Sequence, residues 1–170
     1  MPHFISRKHF RHILAATMLT CMVIACGNAP SGFYTNVTTG LSTAYSGIKS
    51  AQTEMVMNGE VLNHTDIPIG ESFQIINQGV QGLAVKDGKV HISCSLQIQD
   101  AKDSIIFSSP DLFESQGFFH KDSASMLRCT INTGLPMEWE EKYKIKVIFS
   151  DLNGKGKIEN TVTIRAIDIP

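Results

Sequence analysis

The sequence predicts an all-β protein built as an antiparallel two-sheet sandwich of about seven strands, placed after a signal peptide and a flexible linker. Two observations favour this fold class. From about residue 54 onward, apolar and polar residues alternate with a period of two, and turn residues separate the alternating runs. The same region shows no convincing amphipathic helix. Antiparallel sheets that bury only one face produce this one-sided alternation.

The chain begins with a basic head and a short apolar run. Arg7, Lys8 and Arg11 precede the apolar stretch 13–25. This stretch is shorter than the about 20 residues that cross a bilayer, and its length is typical of the hydrophobic part of a signal peptide. We therefore expect residues 1–25 to be a signal peptide and the protein to be exported.

The residues at the end of this run carry the most specific motif of the chain. The sequence VIAC at 23–26, followed by Gly27, resembles the lipobox of bacterial lipoproteins. The resemblance implies cleavage before Cys26, a diacylglycerol on its sulfur and acylation of the freed amine. It thus implies a lipid-anchored protein of the bacterial cell envelope, and Gly27 favours the outer membrane. The alternative is an ordinary secretory signal that is cut after Ala29.

Residues 26–53 are predicted to hold the lipidated cysteine and a linker. The segment is rich in Gly, Ser, Thr and Asn, almost uncharged, and without a sustained period. A flexible chain of about 25 residues has a root-mean-square reach of about 25–30 Å. A second interpretation is that part of the segment docks on the domain or on a partner, because it contains Phe33, Tyr34, Val37, Leu41 and Tyr45.

Residues 54–170 are predicted to form the sandwich. The clearest strand is 89–99, and two further runs flank an Asn-Gly turn at 151–156, which predicts a β-hairpin. The residues of this turn also echo the start of a calcium loop. However, Lys155 and Val162 occupy ligand positions of such a loop, which favours the turn. Shorter strands are predicted at 55–62, 72–77, 104–108 and 125–132.

The layout of residues 54–170 resembles the immunoglobulin-like and fibronectin-like modules of bacterial surface proteins. It departs from antibody domains because Trp139 follows both Cys94 and Cys129. The two cysteines share the apolar side of their strands, and two interpretations remain open. They form a disulfide that stabilises the fold by about 4 kcal/mol, or they are unpaired core thiols.

Little in the sequence indicates catalysis or a cofactor. His64, His91 and His120 are scattered without the spacing of metal ligands, so we expect no metal and no cofactor. Removal of residues 1–25 leaves 12 basic and 16 acidic residues, a net charge of 12 − 16 = −4. This acidic balance argues against nucleic-acid binding. We expect the protein not to be an enzyme.

The loop 110–124 is the candidate binding loop, since it places Phe113, Phe118, Phe119 and His120 in one irregular connection. The alternative is that these phenylalanines close the core. The resulting hypothesis is a membrane-tethered, non-catalytic binding or accessory module whose partner is an envelope protein or a glycan. The alternatives are an envelope hydrolase with a dispersed site and a structural component of an envelope complex.

Overall fold

The protein consists of two packed sheets, and their longest strands bury every second residue. The computed structural model describes residues 29–168. This part of the chain contains twelve strands: β1 (Ser31–Thr35), β2 (Ser42–Ser46), β3 (Gln52–Met57), β4 (Glu60–Val61), β5 (Asp66–Pro68), β6 (Ser72–Gln78), β7 (Lys89–Gln99), β8 (Ile105–Ser109), β9 (Phe118–His120), β10 (Met126–Asn132), β11 (Lys142–Asp151) and β12 (Lys157–Ile167).

The larger sheet has the order β1-β2-β12-β11-β7-β8. The short strand β9 also pairs with β7, and β5 runs parallel to the end of β12. Strand β7 buries every second residue from Val90 to Ile98, as its period of two predicts. Strands β11 and β12 form the predicted hairpin, with Ser150 opposite Lys157.

The smaller sheet has the order β10-β6-β3-β4 and lies against the larger one. Phe73 and Ile75 of β6 are fully buried, as are Ile145 and Phe149 of β11 in the facing sheet. Each such side chain contributes roughly 1.5–3 kcal/mol on burial. These inner faces form one continuous core, which confirms the predicted all-β sandwich.

The prediction of a linker over residues 26–53 is wrong in the part that the structure describes. Strands β1 and β2 lie inside this range, and β2 pairs with β12. Leu41 and Ile48 are buried in the core, and the Tyr34 hydroxyl lies 2.6 Å from the Thr53 hydroxyl. The apolar side chains of the segment therefore belong to the sandwich. Residues 1–25 and Cys26 lie outside the described residues.

The predicted strand over 55–62 is also wrong as a single element. The chain reverses at Asn58 and Gly59, whose φ angles are 52° and 84°. Positive φ at both central residues is typical of a two-residue hairpin turn, which here joins β3 to β4. The predicted count of about seven strands is too low. The strands β1, β2, β4, β5 and β9 are too short to stand out as alternating runs in the sequence.

Antiparallel pairing gives the sandwich two distinct ends. We call the end at which β1 begins the near end. It comprises the connections β2–β3, β6–β7, β9–β10 and β11–β12 with their flanking residues (46–52, 78–89, 120–126 and 151–157). The far end comprises residues 35–42, 57–72, 99–105, 132–142 and 165–168.

Candidate functional site

The predicted binding loop 110–124 runs along the outer edge of β7 and divides its aromatic residues between core and surface. Phe113 and Phe119 pack against the core, with ring centroids 5.4 Å apart in an edge-to-face arrangement. Phe113 also lies 6.3 Å from the buried ring of Phe149. These two side chains therefore close the sandwich at this edge.

Phe118 is different, because 57% of its surface is exposed. It lies opposite His91 in the β7–β9 pairing, and the two rings stack with centroids 3.9 Å apart and planes 11° from parallel. His120, the fourth predicted residue, is exposed, and its Nδ1 lies 3.2 Å from Oδ2 of Asp122. The structure thus stacks Phe118 on His91, whereas His120 interacts with Asp122.

An open cleft surrounds the Phe118–His91 stack at the near end. The turn Asp87-Gly88 has φ angles of 51° and 74°, which makes it a tight two-residue turn that sets Lys86 opposite Lys89. Asn153 enters from the β11–β12 turn and donates a hydrogen bond from Nδ2 to the Ala84 carbonyl. The cleft has a volume of about 590 Å³ and is lined by Lys86, Asp87, Lys89, His91, Phe118 and Asn153.

A second candidate surface is an apolar groove of about 180 Å³ between the two sheets, towards the far end. Strands β8 and β10 flank it, and within residues 29–168 neither pairs with a strand on its outer side. Phe107 is 44% exposed and Leu135 is fully exposed beside the groove. Its lining includes Leu96, Ile98, Ile106, Phe107, Leu135 and Met137.

The apolar groove adjoins an acidic pocket. The two share Ile106 and Pro136, and the acidic pocket is also lined by three carboxylates and one amine, those of Asp100, Glu138, Glu141 and Lys102. Neither surface was predicted from the sequence, because the residues that line them come from β7, β8 and two far-end connections that are distant along the chain. The exposed Leu135, placed between a glycine and a proline, was the one local signal.

Cys94 and Cys129 are free, buried thiols on facing strands of the two sheets. The two thiols are within hydrogen-bonding reach of each other. The hydrogen bond to Cys129 and burial among apolar side chains raise the pKa of Cys94 above its usual range. Cys94 therefore stays protonated near neutral pH, and a neutral buried thiol is a poor nucleophile.

The Asp151 carboxylate accepts hydrogen bonds from three backbone N–H groups, which confirms the predicted hairpin turn. Its Oδ1 accepts hydrogen bonds from the backbone N–H groups of Asn153 and Gly154, at 3.0 and 3.1 Å. Its Oδ2 accepts one from Ala84 at 2.7 Å. Across residues 29–168, no group of three or more His, Cys, Asp or Glu side chains is placed to hold a metal ion. The same residues include no helix with the length and apolar character needed to cross a membrane.

Comparison with known proteins finds similarity in structure but not in sequence. No protein-family model matches the chain, and no curated protein sequence matches it. The fold is similar to the crystal structure of the C-terminal domain of wzt, with a TM-score of 0.48 and 7% sequence identity. The match covers 82% of this chain and 80% of that one.

Proposed function

We propose that the protein is a lipid-anchored, non-catalytic binding module of the bacterial cell envelope that engages an extended segment of a partner protein. The lipobox-like sequence at 23–26 supports the anchor. One observation supports the binding role above the others. An apolar groove lies between two open strand edges and has Phe107 and Leu135 exposed beside it.

The size and chemistry of the groove favour protein side chains as its occupant. Its volume of about 180 Å³ is below the roughly 300–1,000 Å³ that small-molecule sites usually have. Among residues 29–168, the side chains with polar atoms that line it are those of Thr130 and Asn132, and no histidine, cysteine or acidic residue lines it beside them. It therefore offers no activated nucleophile and no general base. Such a groove is suited to one or two apolar side chains of a partner.

The surroundings of the groove favour an extended segment with basic residues. An extended chain can pair with the open edge of β8 or β10 and direct alternate side chains into the groove. The acidic pocket beside the groove, with Asp100, Glu138 and Glu141, complements a lysine or arginine further along such a segment.

The groove is tested by photo-crosslinking in the native host, with the photoreactive residue at Phe107, at Leu135, or at the control position Val37. Val37 is 97% exposed at the far end but lies in the β1–β2 turn. We expect crosslinks from 107 and 135 that map to one segment of one partner, and none to that segment from 37. The Leu135→Asp variant should lose binding to the purified partner, whereas Val37→Asp should keep it. Identical crosslinks from all three positions would contradict the groove.

The anchor is tested separately by the Cys26→Ala variant. We expect the variant to leave the membrane fraction, while the natural protein stays in it and carries acyl chains on its N-terminal peptide. If the natural protein lacks acyl chains, the lipid-anchored part of the proposal is wrong.

A further inference from the structure

The two ends of the sandwich differ strongly in charge. The near end holds six lysines and three acidic residues, whereas the far end holds three basic and nine acidic residues. One of the three near-end acids, Asp151, is occupied by hydrogen bonds from backbone N–H groups. The near end is therefore a cationic surface on a protein whose net charge without residues 1–25 is negative.

Most near-end lysines are free to meet an external anion. Lys86 and Lys89 face each other across a tight turn, an arrangement of like charges that costs free energy unless an anion lies nearby. Among residues 29–168, no acidic side chain forms an ion pair with five of the six near-end lysines: Lys49, Lys86, Lys89, Lys121 and Lys155.

Exposed apolar side chains accompany these lysines. Val85, Phe118 and Leu152 are each about half-exposed. Leu152 and Phe118 lie close together, because the backbone N–H of Leu152 donates to the carbonyl of His91, which stacks on Phe118. Val85 follows Ala84, whose carbonyl accepts a hydrogen bond from Asn153 in the same turn as Leu152. Lysines mixed with exposed aromatic and aliphatic side chains are typical of surfaces that rest in the headgroup region of a membrane.

The position of β1 limits how far the near end can lie from the anchor. Ser31, the first residue of β1, follows Cys26 by only five residues. Even a fully extended chain spans no more than about 3.6 Å per residue, or about 18 Å in total. An acylated Cys26 therefore holds the near end close to the bilayer surface.

We propose that the near end of the sandwich lies against the anionic phospholipid headgroups of the membrane that holds the acyl chains of Cys26. The cleft around Phe118 receives headgroup phosphate between Lys86 and Lys89, and the far end with the apolar groove points away from the membrane. This inference rests on the lipid anchor proposed above.

The orientation is tested with the full-length lipidated protein in vesicles of phosphatidylcholine and phosphatidylglycerol that carry a fluorescence quencher at headgroup depth. Trp139, the one tryptophan of the chain, lies at the far end and is exposed, so it reports on that end in the natural protein. A Phe118→Trp, Trp139→Phe variant reports on the near end. The two positions are separated by about 30 Å, the length of a ten-residue strand. We expect quenching several-fold stronger in the variant than in the natural protein.

The role of charge is tested in the Phe118→Trp, Trp139→Phe background. Adding Lys86→Gln, Lys89→Gln and Lys155→Gln should weaken quenching, as should high salt or vesicles of phosphatidylcholine alone. The matched control changes the exposed lysines Lys102, Lys142 and Lys144 to Gln and should leave quenching unchanged. Circular dichroism checks that each variant is folded.

The possible results of these experiments distinguish the proposed orientation from the proposed lipid anchor. If the protein floats with the vesicles and the two positions are quenched equally, or Trp139 more strongly, the orientation is wrong and the anchor stands. If quenching in the variant is strong but unaffected by salt, lipid charge and the three lysine changes, the role of anionic headgroups is wrong. If the acylated protein does not associate with vesicles, the anchor itself is wrong.

Discussion

The Cys94 and Cys129 side chains face each other between the two sheets, and neither is accessible to solvent. The parity of apolar residues in β7 and β10 placed both thiols in the core, but only the structure brings them together. Parity assigns a side chain to a face of a strand, whereas the approach of two strands in different sheets depends on how the sheets pack. A disulfide between them stays a prediction from the sequence, since both thiols are free in the structure.

The buried Cys94 thiol predicts how stability depends on pH. Because the pKa of Cys94 is raised above the value of about 8.5 in an unfolded chain, the folded state keeps a proton that the unfolded state loses. The stabilisation is complete below about pH 8.5 and declines at higher pH, by up to about 1.4 kcal/mol per pH unit.

This pH dependence is measured by urea denaturation under reducing conditions between about pH 7 and pH 10, the range that brackets the ordinary thiol pKa. The Cys94→Ala, Cys129→Ala variant is the control, since it lacks both interacting thiols but keeps the lysines and tyrosines that also titrate. The free energy of unfolding should fall more steeply with pH in the natural protein than in the variant. Equal slopes would show that Cys94 has no raised pKa.

The prediction of individual strands succeeded where a strand buries large apolar side chains. Strand β7 was predicted to the residue, and β11 and β12 were predicted as the two arms of a hairpin. In all three, the buried positions are mostly Val, Ile, Leu, Phe or Cys. Strand β2 was missed because its fully buried position is Thr43, whose hydroxyl donates a hydrogen bond to Asn160. A buried threonine does not stand out in hydrophobic alternation. Strands β4, β5 and β9 have two or three residues and exist only through their pairing.

The near-end connections pack through glycine. A Cβ atom added to Gly47 would lie 2.8 Å from the Cα of Gly156, so the β2–β3 connection lies too close to the β11–β12 turn for a side chain to fit between them. Gly47 also has a φ of 74°, which disfavours any residue with a side chain. The near end is therefore a cluster of connections held together by direct backbone contact.

Substitution of Gly47 by alanine should destabilise the protein more than the same change at Gly40. Gly40 has a nearly equal φ of 69°, but an added Cβ there meets no atom within 4 Å. Gly40→Ala should therefore lower the free energy of unfolding by only about 1 kcal/mol, the cost of a positive φ in a residue that has a side chain. Gly47→Ala should cost about 1–3 kcal/mol more, because the methyl group overpacks the contact with Gly156. Urea midpoints of the two variants provide the measurement, and equal losses would contradict the close contact.

Charge and binding surface are properties of the whole molecule that the sequence pattern does not display. The near-end lysines come from four separate connections with one or two lysines each, so no basic run appears along the chain. The apolar groove likewise combines β7, β8, β10 and the β10–β11 connection. The sequence predicted the class of fold and singled out Phe118 as a candidate binding residue, although Phe118 lies on the short strand β9 and not in an irregular loop. Long-range topology decides which connections share an end.

Truncation at the N-terminus tests whether the rest of the sandwich can fold without β1 and β2. A chain that begins at Gln52 lacks β1 and β2, and it also loses the buried side chains of Leu41 and Ile48. Those two side chains alone contribute roughly 3–6 kcal/mol, against a total stability of about 5–15 kcal/mol for a typical domain. The pairing of β12 with β2, from Lys157 to Thr161, is lost as well. We therefore expect this chain not to unfold cooperatively in a thermal melt followed by circular dichroism.

A chain that begins at Ala29 is the matched control, because it keeps every strand that the structure describes. It should melt as cooperatively as the full-length protein and at nearly the same temperature. If the chain that begins at Gln52 melted in the same way, residues 29–51 would be dispensable for the fold. Residues from 52 onward would then be able to form the sandwich without β1 and β2.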